Sequence, residues 1–240
     1  MKQNKAILFS IIVFLSLELQ AQNIDEIISG YINFTGGAQQ WKKIKTIMCS
    51  GTYNYGGMEF PFQSYSKAPN LYKYIVTANG KSFMQAYDGK DGWRIDGFKN
   101  ETVKTRLSGK ASTTMANESD VELENLFIDY KTKGYIVIPG GTDTVNTKPC
   151  YKIKLIKNDG DTATYFFDTL DFALVKKQAV AKNTELENAV LDIFYSDYVK
   201  TNGINLPRKI ACTSNGQDIL IITVKDVKFN EPVADAIFKY

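Results

Sequence analysis

The chain has 240 residues, with 29 Lys and Arg against 26 Asp and Glu, 14 Tyr, 14 Phe, 2 Trp, 3 Cys and no His. The missing imidazole excludes Ser-His-Asp and Cys-His nucleophilic systems and His-ligated zinc, haem or copper, leaving carboxylate, Lys, Tyr and Cys chemistry or none. A formal charge of +3 carried by scattered lysines lacks the basic patch of a nucleic-acid binder.

Residues 1–21 read as a cleaved signal peptide. Lys2 and Lys5 precede an apolar run from Ala6 to Leu17, too short to span a bilayer, and Ala21 closes the segment; Leu19 departs from the small residue favoured there. The remainder, 22–240, reads as one domain without linkers or repeats. The first cysteine is Cys49, so the mature N-terminus offers no thiol for lipidation, and the exported protein is expected to be soluble and not lipid-anchored. Cys49, Cys150 and Cys212 fall in strand-like runs, where a free thiol serves as a small hydrophobe.

Ile24, Ile27, Ile28, Tyr31 and Ile32 have the spacing of one helix face, with Asn23 as N-cap and Gly36-Gly37 as the stop; a second helical turn covers Ala38 to Lys43. From Ile44 onward, short runs rich in Thr, Tyr, Val, Ile and Phe alternate with Gly, Asn and Asp. Strands are predicted at 44–55, 58–66, 71–78, 82–87, 92–95, 134–138, 150–157, 163–168, 172–181, 189–199, 206–213 and 218–229. Gly56-Gly57, Asn79-Gly80, Asp159-Gly160 and Asn202-Gly203 supply the positive φ of tight hairpins. Leu107 to Ser119 reads as a loop. Ser119-x-x-Glu122 then reads as a capping box opening a helix whose face carries Leu123, Leu126, Phe127 and Tyr130. Asn230-Glu231-Pro232 opens a closing turn.

The fold class follows: α+β, mostly β, with a single strongly curved antiparallel sheet of about 10–12 strands and a few helices over its concave face. A sheet of that size curls into a barrel or half-barrel. Large side chains on both faces of several strands, such as Tyr72 and Tyr74 against Leu71 and Ile75, require both faces to be covered.

Three stretches, in order, together with the helix and Gly36-Gly37 at 24–37, which suit the N-terminal element, resemble the bacterial outer-membrane lipoprotein carrier family of periplasmic lipoprotein-sorting proteins. Lys67-Ala68-Pro69-Asn70-Leu71 is similar to the family's Arg-Pro-Asn segment. Asp88-Gly89-Lys90-Asp91-Gly92-Trp93 is similar to its Asp-Gly-Lys hairpin and Trp, and Asn230-Glu231-Pro232-Val233-Ala234-Asp235-Ala236-Ile237-Phe238 to its closing turn. The resemblance implies a periplasmic half-barrel, no cofactor, and an apolar cavity that takes lipid or lipoprotein acyl chains, with envelope transport proteins as further partners. The family's latch arginine falls on Ala68, which can donate no side-chain hydrogen bond. Lys67, one residue away in a strand, points to the other face.

The expected cavity lining is Met48, Phe60, Phe62, Tyr72, Tyr74, Phe83, Trp93, Phe166 and Phe194, with Leu123, Leu126 and Phe127 as a lid; no catalytic or metal-binding residue is assigned. Each of these side chains also suits an ordinary core. Two other readings compete. Asp88, Asp91 and Asp96 around Trp93, with Asp192 and Asp197, offer carboxylate pairs for glycoside hydrolysis, and the first three a calcium loop, although Asp is also ordinary turn chemistry. A ligand-free interaction module would fill the sheet with its own helices.

Overall fold

The computed structural model describes residues 24–123, 125–181, 186 and 188–240. The signal segment 1–21 and the Asn23 cap lie outside the described residues. Thirteen strands form one antiparallel sheet: β1 Thr46–Tyr55, β2 Met58–Lys67, β3 Leu71–Ala78, β4 Lys81–Tyr87, β5 Gly92–Asp96, β6 Thr105–Arg106, β7 Ile136–Val145, β8 Lys148–Ile156, β9 Thr162–Asp168, β10 Leu174–Val180, β11 Val190–Thr201, β12 Ile204–Ser214 and β13 Gln217–Phe229. Helix α1 spans 24–34, α2 Ala38–Trp41 and α3 Gly109–Leu123.

The strand order is β6-β5-β4-β3-β2-β1-β13-β12-β11-β10-β9-β8-β7. Two hairpin meanders therefore run outward from a central β1–β13 pair, and the sheet stays open between its edges β6 and β7. The half-barrel expected from sequence is present, with one more strand than the upper count. Asn79-Gly80, Asn202-Gly203 and Asn215-Gly216 all take positive φ, as two-residue type I′ hairpins require. The β1–β13 pairing slips at Ser50/Gly51, where a Cβ on Gly51 would stand 1.9 Å from the Thr223 carbonyl oxygen. Only glycine fits that bulge.

Because β6 and β7 are opposite edges, the chain between them must cross the open side of the half-barrel. That crossing is α3 followed by turns at 125–134, and it defines the inner face of the sheet. The structure corrects the predicted middle helix. Residues 109–119, expected as a loop, are helical, and Ser119, expected as an N-cap, lies inside α3 with its hydroxyl donating to the Ala116 carbonyl at 2.7 Å. Leu126, Phe127 and Tyr130 lie in turns instead. Asn125 Oδ1 accepts from the Phe127 amide at 3.1 Å, its side chain bonding the local backbone as Asn does outside helices. Asp129 takes a φ of 54°, which breaks any helix there.

These turns seal two cores. Phe127 and Tyr130 join Ile27 and Ile28 of α1 with Ile153, Leu155, Tyr165 and Phe167 of β8 and β9. Ile128, which the helical phase would have left outside, packs with Trp41, Ile47, Ile204, Val227 and Phe229. Thr35 joins the two: its hydroxyl accepts from Trp41 Nε1 at 3.2 Å and from Asn125 Nδ2 at 2.8 Å. Trp41 is thus a packing residue.

Burial pushes the phenols of Tyr31, Tyr165 and Tyr198 far above the usual tyrosine value of 10.0. A raised folded-state value means that the stability these groups contribute is complete below pH 10 and lost above it, because only the unfolded phenols ionise there. With no His to titrate near neutrality, we expect the urea midpoint to hold from pH 7 to about 8, and then to slip as the unfolded-state thiols of Cys150 and Cys212, whose folded values burial raises, begin to ionise. Above pH 10 the unfolding free energy should fall by about 1.4 kcal/mol per pH unit for each tyrosine kept neutral, and the midpoint with it. A midpoint that is unchanged at pH 11 would contradict this burial.

Candidate functional site

Direct cross-strand partners share a face, so the register sorts the expected lining residues. Phe62 pairs with Val76 and Val76 with Phe83; Ser64 pairs with Tyr74, Tyr74 with Gln85 and Gln85 with Arg94; Ser66 pairs with Tyr72, Tyr72 with Tyr87 and Tyr87 with Gly92. A Cβ on Gly92 would meet Leu107, just before α3, and Met115 within it, which places these three rows on the inner face beneath and beside that helix. Phe60, opposite Tyr53 in β1, lies on the same face.

Five of the nine expected residues, Phe60, Phe62, Tyr72, Tyr74 and Phe83, are thus brought together. All five are part-exposed. Tyr72 and Tyr74 stand 6.1 Å apart and Tyr74 and Phe83 5.7 Å apart, and the Tyr74 hydroxyl donates to Gln85 Oε1 at 2.9 Å. Arg94 closes that row, with Nη2 3.5 Å from Glu101 Oε1.

The other four lie on the opposite face, which is a correction to the sequence reading. Met48 pairs with Tyr65 and Lys228, one residue out of phase with Ile47 and Cys49 of the inner core. Trp93 pairs with Ala86 and Arg106, is 1 % exposed, and donates from Nε1 to the Phe238 carbonyl at 2.6 Å. Lys104 and Lys73 sit over its ring at 4.3 and 5.5 Å. Burial and the neighbouring Lys104 charge lower the Lys73 pKa. Phe166 and Phe194 flank Lys176 in the register and form a small core with Val145 and Cys150. The lid residues change role as well. Phe127 is 1 % exposed in the main core and Leu126 packs at its margin, while the Leu123 side chain lies outside the described residues.

Sequence reasoning missed the centre of the inner face. Tyr53 pairs with Ile222 and Ile222 with Ile210, while Met58 pairs with Tyr55, Tyr55 with Leu220, Leu220 with Cys212 and Cys212 with Ile193. The first of these rows is part-exposed, and in the second Tyr55 and Met58 are 51 % and 61 % exposed. The alternating Ile210-x-Cys212 and Leu220-x-Ile222 carry the signal. Apolar neighbours in the other phase, Ala211 and Ile221, obscured it. The inner face is therefore filled beneath α1 and the turns, and left as part-exposed apolar surface along β1–β5, β12 and β13.

The candidate carboxylates are engaged locally. Asp88 Oδ1 accepts from the amides of Lys90 and Asp91 at 3.0 and 2.8 Å, Asp91 pairs with Arg106, and Asp96 Oδ1 accepts from the Lys99 amide at 3.3 Å. Asp192 bonds Gln178 Nε2 at 2.8 Å and pairs with Lys176, and Asp197 is exposed at a φ of 55°. Among the described residues no three His, Cys, Asp or Glu side chains gather as a metal site, and no two of Cys49, Cys150 and Cys212 form a disulfide.

At the latch position, the Ala68 amide donates to the Lys45 carbonyl at 2.9 Å, and its methyl group packs at the margin of the Trp41 core. Lys67 turns to the opposite face, where Nζ donates to the Val233 carbonyl at 2.7 Å and pairs with Asp235 at 2.6 Å. A cleft of about 680 Å³ opens beside this pair, lined by Lys43, Lys45, Lys67, Asn230 and Pro232, and is separate from the aromatic rows.

No protein-family model and no curated protein matches the sequence. Solved structures do. A LolA superfamily protein from Nitrosomonas europaea superposes with a TM-score of 0.58 at 12 % identity, covering 90 % of this chain and 97 % of its own. An outer membrane lipoprotein-sorting protein domain from Vibrio parahaemolyticus gives 0.56 at 12 % identity, over 84 % and 94 %. The fold is the LolA-type half-barrel. A DUF1329 family protein from Desulfovibrio piger shares it, with a TM-score of 0.59 at 16 % identity over 90 % and 97 % of the two chains. The likeness read from the three sequence stretches thus holds for the fold. Among the described residues, no helix is long and apolar enough to cross a membrane.

Proposed function

We propose that this chain is a divergent LolA-type carrier of the bacterial periplasm, exported by cleavage after Ala21, which holds lipid or lipoprotein acyl chains by burial rather than by catalysis. The observation that carries this reading is the part-exposed apolar surface of Phe60, Phe62, Tyr72, Tyr74 and Phe83 on the helix-bearing face. Each methylene withdrawn from water there contributes about 0.8 kcal/mol, so about ten carbons bind without any charged contact. Two of the relatives in fold are described as LolA superfamily and lipoprotein-sorting proteins, and the candidate carboxylates are occupied in turns and ion pairs.

The half of the sheet beneath α1 favours a second reading, an interaction module filled by its own core, because Phe127, Phe167 and Ile153 leave no room for a guest there. Mass spectrometry of organic extracts separates the two. We expect the protein purified from a bacterial periplasm to release acyl lipids at a substantial fraction of one equivalent, exchangeable with added fatty-acid probe. Protein that carries no lipid and takes up no probe would leave the interaction module as the better reading.

A further inference from the structure

Residues 230–240 run from the end of β13 along the face opposite α3, crossing β1 and β2 to reach β5 and β6. Thr46 Oγ1 donates to the Glu231 carbonyl at 2.7 Å, Lys67 holds Val233 and Asp235, and Trp93 Nε1 holds the Phe238 carbonyl at 2.6 Å, with Phe238 fully buried. At the far end Lys104 Nζ donates to the Lys239 carbonyl and the Tyr240 hydroxyl donates to the Lys104 carbonyl at 3.2 Å. The Arg106 guanidinium lies 4.5 Å from the centre of the Tyr240 ring.

Those last contacts fall at the root of α3. Strand β6 is two residues long and pairs with β5 alone, through Trp93↔Arg106 and Arg94↔Thr105. Directly after it the Leu107 amide donates to the Gly92 carbonyl at 2.7 Å, and the chain turns over the sheet edge into α3. Among the described side chains of α3, Met115 is the one large apolar group that is buried; Ala111 and Thr113 are exposed. The described, root-proximal part of α3, 109–116, therefore has Met115 as its one large buried apolar anchor and depends on where its root is held.

We propose that the 230–240 strap is the latch of the site: it pins β6 from the opposite face and so keeps α3 seated over the aromatic rows. Loosening it at Lys104 and Tyr240 lets α3 lift. The gating part rests on the acyl-binding reading; the holding of α3 does not. The strap supplies from behind the sheet what Ala68 cannot supply from within it.

The test uses Tyr240→Ala and Lys104→Met in the mature chain, with Lys152→Met as a control that removes a part-exposed lysine contact near the other edge, to Asp143. Tyr240 is 51 % exposed, so its loss leaves the cores intact. Hydrogen exchange of the ligand-free protein should show α3 amides at 109–119 exchanging at least about fivefold faster in both variants. Protection of β8 and β9 should stay unchanged and the control should match the wild type. Dissociation of a bound fluorescent fatty acid should accelerate by a similar factor. Unchanged α3 exchange overturns the latch whether or not the probe binds. Faster exchange with an unchanged probe off-rate overturns the gating. Failure of the wild type to bind the probe sinks the acyl reading, while the exchange arm still decides whether the strap holds α3.

Discussion

Phe127→Ala is expected to destabilise the protein by about 3–5 kcal/mol, the largest effect of any single truncation discussed, although its position in the sequence reads as part of a mobile lid. The ring is 1 % exposed and meets Tyr31, Tyr165 and Phe167 at centroid distances of 5.6, 5.1 and 5.5 Å, with Tyr31 and Tyr165 edge-on. Its removal leaves a cavity where α1, the 125–134 crossing and the inner face of β9 converge, and also deprives those rings of favourable edge contacts. Leu126→Ala, at the margin of the same core, should cost about 1 kcal/mol. Urea titration measures both, with the midpoint falling at unchanged slope. Equal and small losses for the two variants would restore the lid helix and refute the turn.

That contrast shows what the sequence could convey. Eleven of the thirteen strands lie within a few residues of their predicted bounds, because alternation and Asn-Gly turns are local chemistry. Two features were misjudged for identifiable reasons. Strand β7 continues to Val145 through Pro139-Gly140-Gly141, where the register to β8 slips, and turns at Asn146-Thr147 with both residues at positive φ. A β-branched residue in that conformation is rare enough to hide a hairpin. Helix α3 was hidden by its composition, Gly-Lys-Ala-Ser-Thr-Thr-Met-Ala, which has weak intrinsic preference. The helix is retained because a crossing from β6 to β7 must pass over the sheet, and Met115 finds a seat beside Gly92.

The site was half legible for a related reason. In a two-layer protein with one wet face, alternation tells which residues point inward. Here β3 carries Tyr72, Tyr74 and Val76 on one face and Leu71, Lys73 and Ile75 on the other, and β5 sets Trp93 against Arg94. Hydrophobicity ranks Trp93 as the cavity residue and Arg94 as the surface one. The register reverses them, because the C-terminal strap, distant in sequence, covers the opposite face at Trp93. The contact that buries Trp93 on that face spans 145 positions, and no local pattern encodes it.

Phe62→Asp should abolish acyl-chain binding, by at least about a hundredfold, while leaving the fold intact. Phe62 lies on the inner face between Val76 and Gly51, with its ring edge 2.9 Å from the place a Gly51 Cβ would take, so it lies over the bulge at the centre of the aromatic rows. It is half-buried, and a carboxylate there keeps enough water in the ligand-free protein to be tolerated, at a cost of about 1–2 kcal/mol. An acyl chain laid along Phe62, Tyr74 and Phe83 would strip that water from an ion without a partner, which costs several kcal/mol and exceeds what a few methylenes return. Phe62→Leu keeps the surface apolar and should bind within about threefold of the wild type. Phe194→Ser, on the opposite face beside Lys176, should bind as the wild type does. Fatty-acid probe titrations of the three variants, read beside their urea midpoints, give the answer. Binding lost on Phe194→Ser and kept on Phe62→Asp would move the guest to the other side of the sheet.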